Sequence, residues 1–101
     1  MHAVKRLLWW LLGGSVGGFN RGRILQALLM QPRNAHELSQ MLELDYKTVR
    51  HHLKVLEKNR LVTPIGSDYG KVYFPSDLLE KHTNFFTEIW GKIGEKRIKK
   101  Q

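Results

Sequence analysis

The chain predicts a mainly α-helical domain that carries one small β-hairpin, an α+β architecture. Three observations predict it. Apolar residues recur at i, i+3, i+4 and i+7 in several segments along the chain. Two short runs rich in β-branched and aromatic residues flank a glycine-bounded turn, Gly66-Ser67-Asp68-Tyr69-Gly70. A length of 101 residues suits one domain, and an apolar fraction of 42% suffices for one core. A domain this small is marginal alone and gains from oligomerising.

The first element, residues 1–18, is an apolar segment with a glycine-rich connection. Lys5 and Arg6 precede six consecutive apolar residues, Leu7 to Leu12. Such a run puts apolar groups all round a helix, so the element must be buried somewhere. It is far shorter than the roughly 20 residues of a membrane span. The sequence favours burial against the domain or a partner subunit. An interfacial membrane anchor using Trp9 and Trp10, or a signal peptide, are the alternatives. The stretch Gly13-Gly14-Ser15-Val16-Gly17-Gly18 lacks the Gly-Lys-Ser/Thr ending of a phosphate loop and reads as a flexible connection.

Residues 19–75 read as the central domain. Ile24, Leu25, Leu28 and Leu29 form the inner face of a helix that Pro32 stops. Arg21 and Arg23 fit phosphate contacts and solvated charges equally well. Asn34 and Glu37 have capping-box spacing and open a short helix, with Ala35, Leu38 and Met41 or Leu42 inside. Leu42-Glu43-Leu44 is a short turn, and Asp45 caps a second helix over 45–59. At about 100° per residue, Val49, His52, Leu53 and Leu56 share one arc. Lys47, Arg50, His51, Lys54 and Lys58 share the opposite arc, with no carboxylate among them. A solvated helix usually mixes signs on its outer face, whereas a one-sign stripe suits a phosphate backbone. Leu61 to Ile65 reads as a strand and Lys71 to Phe74 as its return.

A short helix, a tight turn, a longer basic helix and a hairpin make a helix-turn-helix with a wing over 61–74. In that geometry the first residues of the second helix enter the major groove. Here they are Tyr46, Lys47, Thr48, Arg50 and His51. Lys54 and Lys58 are placed to hold the DNA backbone. Asn34 and His36, with Tyr69 and Lys71 in the wing, complete the candidate DNA-binding set. A purely structural hairpin is the alternative for the wing.

The C-terminal segment 76–94 reads as one amphipathic helix, with Asp77 and Glu80 as its capping box. Leu78, Leu79, His82, Phe85, Phe86, Ile89, Trp90 and Ile93 span an arc of about 140°. That is wider than a two-helix seam needs, and an apolar patch of this size normally marks an interface. The candidate dimer interface is therefore Leu8, Trp9, Leu12, Leu78, His82, Phe85, Phe86, Ile89, Trp90 and Ile93. The alternative is that the N-terminal segment folds back over this face. Residues 95–101, with Lys96, Arg97, Lys99 and Lys100, read as a frayed basic tail.

The run LSQMLELDYKTVRHHLKVLEKNRLV resembles the winged helix-turn-helix of ArsR-like regulators, in the form common in archaeal transcription factors. The resemblance spans roughly Asn20 to Asp77 and is most specific over Tyr46 to Leu56, with Leu61-Val62 opening the wing. It implies a homodimeric DNA-binding protein. It sets Lys47, Thr48, Arg50 and His51 at groove-facing positions and Val49, His52, Leu53 and Leu56 at core positions. Metal-sensing members carry cysteines that this chain lacks, so the resemblance implies no thiolate metal sensing.

Composition points the same way. Lys plus Arg number 17 against 9 acids, a net charge of +8, which favours polyanions. With no cysteine, disulfides, thiolate chemistry and zinc knuckles are excluded. Neighbouring His51 and His52 point about 100° apart on a helix, and no histidine pair has ligand spacing, so no metal site is expected. His52 reads as a satisfied histidine at the core edge. No HExxH, Ser/His/Asp constellation or paired carboxylates appear. The expectation is a cytoplasmic transcriptional regulator, not an enzyme, binding double-stranded DNA as a homodimer without cofactor or evident small-molecule effector. A winged-helix module that uses its apolar termini to bind protein or membrane is the alternative.

Overall fold

Backbone hydrogen-bonding demands at the end of the first helix shape the whole N-terminal half. The computed structural model describes residues 2–99. Helix α1, Ala3–Gly13, is capped by His2, whose Nδ1 accepts from the Val4 amide at 3.1 Å. Its six-residue apolar run divides by helical angle. Leu8, Leu11 and Leu12 are buried against α2 (Gly18–Met30) and α6 (Thr83–Lys99), while Trp10 remains 56% exposed. The segment therefore folds back on its own chain. Among the described residues, no helix is long and apolar enough to cross a membrane.

The glycine-rich stretch, expected as a connection, turns tightly between α1 and α2. Gly17 has φ +83°, a left-handed conformation that side chains disfavour. A Cβ on Gly18 would collide with the Leu12 carbonyl oxygen, so the two helices meet backbone to backbone. Arg21 closes the junction. Its Nε donates to the Leu11 carbonyl at 2.9 Å and its Nη2 donates to the Ser15 hydroxyl, which in turn donates to the Trp10 carbonyl. The Leu11 carbonyl, near the helix C-terminus, thereby gains a cationic donor.

After α2 the chain forms β1, Arg33–Asn34, then α3, Ala35–Leu42. The capping box is present: the Asn34 side chain accepts from the Glu37 amide at 2.7 Å, and Glu37 Oε1 accepts from the Asn34 amide at 2.8 Å. Glu43 turns the chain with φ +55°. Helix α4, Tyr46–Lys58, starts at Asp45, whose Oδ2 accepts from the Lys47 and Thr48 amides. It ends near Arg60, another left-handed residue, φ +62°.

Strands β2, Val62–Ile65, and β3, Val72–Pro75, pair antiparallel with Thr63 opposite Phe74 and Ile65 opposite Val72. The expected hairpin is present, with its return strand shifted one residue onward and a 3-10 turn over Asp68–Gly70. The sheet has a third strand that periodicity could not reveal. β1 pairs with β3 through Arg33–Tyr73 and Asn34–Val72, giving the order β1-β3-β2.

The C-terminal helix departs from expectation in three ways. Its cap is Ser76, not Asp77. The Ser76 hydroxyl accepts from the Leu79 amide at 3.1 Å and donates to the Arg60 carbonyl at 2.7 Å, tying α5, Asp77–Lys81, to the end of α4. The helix breaks at His82 before α6 begins. And α6 runs on through the segment read as a frayed tail, to Lys99, with Lys100 outside the described residues.

Helix α1 covers much of the apolar face of α6. Lys5 bonds Glu88 at 3.1 Å and lies over the Phe85 ring, while His2 packs against His82 and Phe85. The hydrogen bond from Lys5 holds the Glu88 carboxyl below the usual carboxylate range. Trp90 stacks between Phe19 and Phe86.

Two alanine substitutions should have opposite signs. A Cβ on Gly22 would run into the Trp90 ring, while nothing lies within 4 Å of a Cβ on Gly91. Overpacking should make Gly22→Ala destabilising by about 1–3 kcal/mol. Gly91→Ala should stabilise by about 0.5–1 kcal/mol through helix propensity. Thermal unfolding monitored by circular dichroism checks this, and a rise in Tm for both variants would disprove the close packing at Gly22.

Candidate nucleic-acid interface

Helix α4 has two faces with different work. Val49, His52, Leu53 and Leu56 are buried, as their spacing requires. The opposite face carries Tyr46, Arg50, Lys54 and Lys58 at four-residue intervals, with Lys47 and His51 beside them. Four-residue spacing makes each of these side chains the neighbour of the next, turning about 40° at each step.

The wing completes that face. Lys71 and Tyr73, at and just inside β3, border the α4 stripe, and His36 reaches it from the first turn of α3. Two shallow clefts of about 360 Å³ lie along the junction and a third, of about 310 Å³, lies on α4 itself, and Arg50 borders all three. Arg50 Nη1 donates to the Tyr46 hydroxyl at 3.1 Å, and its guanidinium stands 5.8 Å from the Tyr46 ring centre. The structure thus brings together His36, Tyr46, Lys47, Arg50, His51, Lys54, Lys58 and Lys71 on one surface. Two carboxylates line the same clefts, Glu57 from α4 and Asp68 from the wing turn.

The other candidates are placed differently. Asn34 is engaged in the α3 capping box. Thr48 is half-buried in the first turn of α4, its amide held by Asp45. The Tyr69 side chain lies outside the described part of the structure. Tyr73 is the residue that sequence reasoning missed. It is buried, yet its phenol borders the clefts beside Arg50. Burial raises its pKa, partly opposed by Arg50, so it stays a neutral hydroxyl. Strand alternation puts Tyr73 on the sheet face opposite Val72 and Phe74, a signal present in the sequence once the register is known.

Arg21 and Arg23, which fitted phosphate contacts and solvated charges equally well, both bond to backbone of their own chain. Arg21 is the buried cap of α1. Arg23 Nη2 donates to the Leu42 carbonyl at 2.7 Å, in the turn between α3 and α4, and Nη1 donates to Asn20 Oδ1. His52 is a buried core histidine, but not a satisfied one: its Nδ1 has no hydrogen-bond partner. Burial lowers its pKa first, with Arg21 and His51 adding in the same direction. Among the described residues, no three His, Asp or Glu side chains gather as a metal-binding group.

Of the candidate interface residues at the termini, Leu8, Leu12, Phe86, Ile89 and Ile93 are buried within the chain's own core. Trp9, Leu78, His82, Phe85 and Trp90 are half-buried and keep apolar surface at the face shared by α1, α5 and α6.

Residues 20–63 match the family model described as bacterial regulatory protein, arsR family. The fold is similar to the transcriptional regulator BldR from Sulfolobus solfataricus, with TM-score 0.69 and 16% identity over 95% of this chain and 72% of that one. It is similar to Staphylococcus aureus MarR in complex with salicylate and kanamycin, with TM-score 0.68 and 20% identity over 97% of this chain and 68% of that one. Reduced HlyU from Vibrio cholerae gives TM-score 0.62 and 24% identity over 86% of this chain and 83% of that one. At these identities the likeness is one of fold. No curated protein matches the chain.

The His52 environment sets a pH dependence. Its folded pKa lies below the ordinary value, so under acid the unfolded chain binds more protons than the folded one. The stability that neutral His52 contributes is complete above about pH 6.5 and is lost as pH falls from there toward the folded value. Urea unfolding across this range should show a steeper acid loss for the wild type than for His52→Leu. Parallel losses would take the titration away from His52.

Proposed function

From an arsR-family helix-turn-helix domain over residues 20–63, set in a winged-helix fold, we propose a DNA-binding transcriptional regulator, not an enzyme, that reads DNA with α4. In this reading Tyr46, Lys47, Thr48, Arg50 and His51 enter the major groove of double-stranded DNA. Lys54 and Lys58 hold phosphates, and Lys71 brings the wing to the backbone or minor groove. The observation that carries the reading is the joint basic face, assembled from α3, α4 and β3 with Arg50 at its centre. Phosphate contacts set affinity and register, while base-edge contacts set specificity. An arginine can pair with guanine through two parallel hydrogen bonds, which suits Arg50 to the specifying role.

The reading includes a homodimer. Half-buried Trp9, Leu78, His82, Phe85 and Trp90, with exposed Trp10, leave an apolar surface away from the basic face. Burying it in a two-fold contact presents two α4 helices to half-sites about one helical turn apart.

The test is fluorescence anisotropy with DNA from upstream of the protein's own gene and with a shuffled duplex, over a salt series. A preference of about 10³ or more, with affinity falling steeply as salt rises, is expected. Arg50→Ala should cost about 1–3 kcal/mol on the preferred site and much less on shuffled DNA. Lys58→Ala should weaken both alike and reduce the salt slope by about 1. Equal loss on both duplexes for Arg50→Ala would overturn its groove-reading role.

A further inference from the structure

We infer that the hydroxyl of Tyr73 donates a hydrogen bond to a phosphodiester of the DNA backbone, bound in the cleft between β3 and the basic stripe of α4. The inference rests on the DNA-binding reading above and adds to it a contact made by a core residue.

The hydroxyl is the odd part of an otherwise buried side chain. Tyr73 is only 5% exposed, yet it borders both clefts at the junction of α4 and the wing, each of about 360 Å³. Among the described residues, no group of the chain hydrogen-bonds this hydroxyl, and its oxygen is not sealed from solvent. Buried polar groups are ordinarily paired, so one left over at the floor of a cleft needs a reason. Packing does not supply it, because phenylalanine would fill the same space. A ligand does.

The neighbours set the class of that ligand. Arg50, Lys54, Lys58 and Lys71 line one cleft with Tyr73, against the carboxylate of Glu57. Arg50, Lys71 and His36 line the other, against Asp68. Surroundings in which cations outnumber carboxylates favour an anion. Burial holds the pKa of the phenol above its ordinary value, so at neutral pH it keeps the proton it would donate. A phosphodiester answers both demands, with one negative charge and two unesterified oxygens that accept.

The sheet fixes the donor in place. β3 is the middle strand, and Tyr73 is paired with Arg33 on one side and Pro64 on the other. A lysine loses rotamer freedom when it closes on a phosphate, whereas Tyr73 is already ordered by the core. A fixed donor to the backbone sets how the duplex sits against β3, and hence how α4 meets the groove. It carries no base information, so its contribution is the same on any duplex.

The test applies the anisotropy assay and thermal unfolding to Tyr73→Phe. Because the hydroxyl has no partner in the free protein, Tm should hold or rise. Affinity should fall about tenfold on the preferred and shuffled duplexes alike. The salt slope should stay at the wild-type value, because a neutral hydroxyl displaces no counterion, in contrast to Lys58→Ala. Single methylphosphonates placed in turn along the preferred site should reveal a phosphate whose change weakens the wild type more than the variant. A Tm lowered by about 4 °C or more would overturn the inference, since the hydroxyl would then serve the fold. A loss confined to the preferred duplex would also overturn it, and would give Tyr73 the task of orienting Arg50 instead. Wild-type binding with an unchanged variant would overturn the Tyr73 contact alone, whereas a wild type that binds neither duplex would overturn the DNA-binding reading beneath it.

Discussion

The guanidinium of Arg21 is the constraint on which the N-terminal half depends. It is a buried cation that, among the described residues, no carboxylate pairs. Its partners are instead the Leu11 carbonyl, near the end of α1, and the Ser15 hydroxyl, which itself donates back to the Trp10 carbonyl. A buried charge without such partners would be expensive, and so would the unpaired carbonyls. Each therefore holds the other in place. The angle between α1 and α2 follows, and with it the coverage of α6 by α1. Burial lowers the pKa of Arg21, but from so high a value that the group stays charged. That charge faces His52 on the inner side of α4 and discourages its protonation.

What was legible in the sequence was local. The Asn34–Glu37 box, the Asp45 cap, the two arcs of α4 and the hairpin each depend on residues within a few positions of one another, and each is present. What was not legible depends on partners far along the chain. β1 is two residues long and exists because β3 offers an edge. Ser76 displaces Asp77 as the cap because its hydroxyl also reaches Arg60, sixteen residues earlier. Arg21 reads as a surface charge until its contact with Leu11 is known.

The candidate site divides in the same way. The stripe on α4 was readable from helical angle alone. Its assembly with Lys71, Tyr73 and His36 required the register of the wing and the crossing of α3 over α4. Tyr73 shows how the two levels join. It opposes Arg33 and Pro64 in the sheet, and the same placement brings its hydroxyl beside Arg50. A residue that serves the core thereby shapes the floor of the basic face.

Helix α4 lies between two residues with positive φ, Glu43 before it and Arg60 after it, and neither is glycine. A left-handed conformation costs an ordinary side chain about 1–2 kcal/mol. The protein thus holds a reserve of stability at two junctions, neither of which lies in the basic stripe of α4. Selection or design could draw on that reserve with a single glycine or asparagine, offsetting damage from changes made to the basic stripe itself. Changes to the basic stripe of α4 can thus be offset at positions just outside its borders.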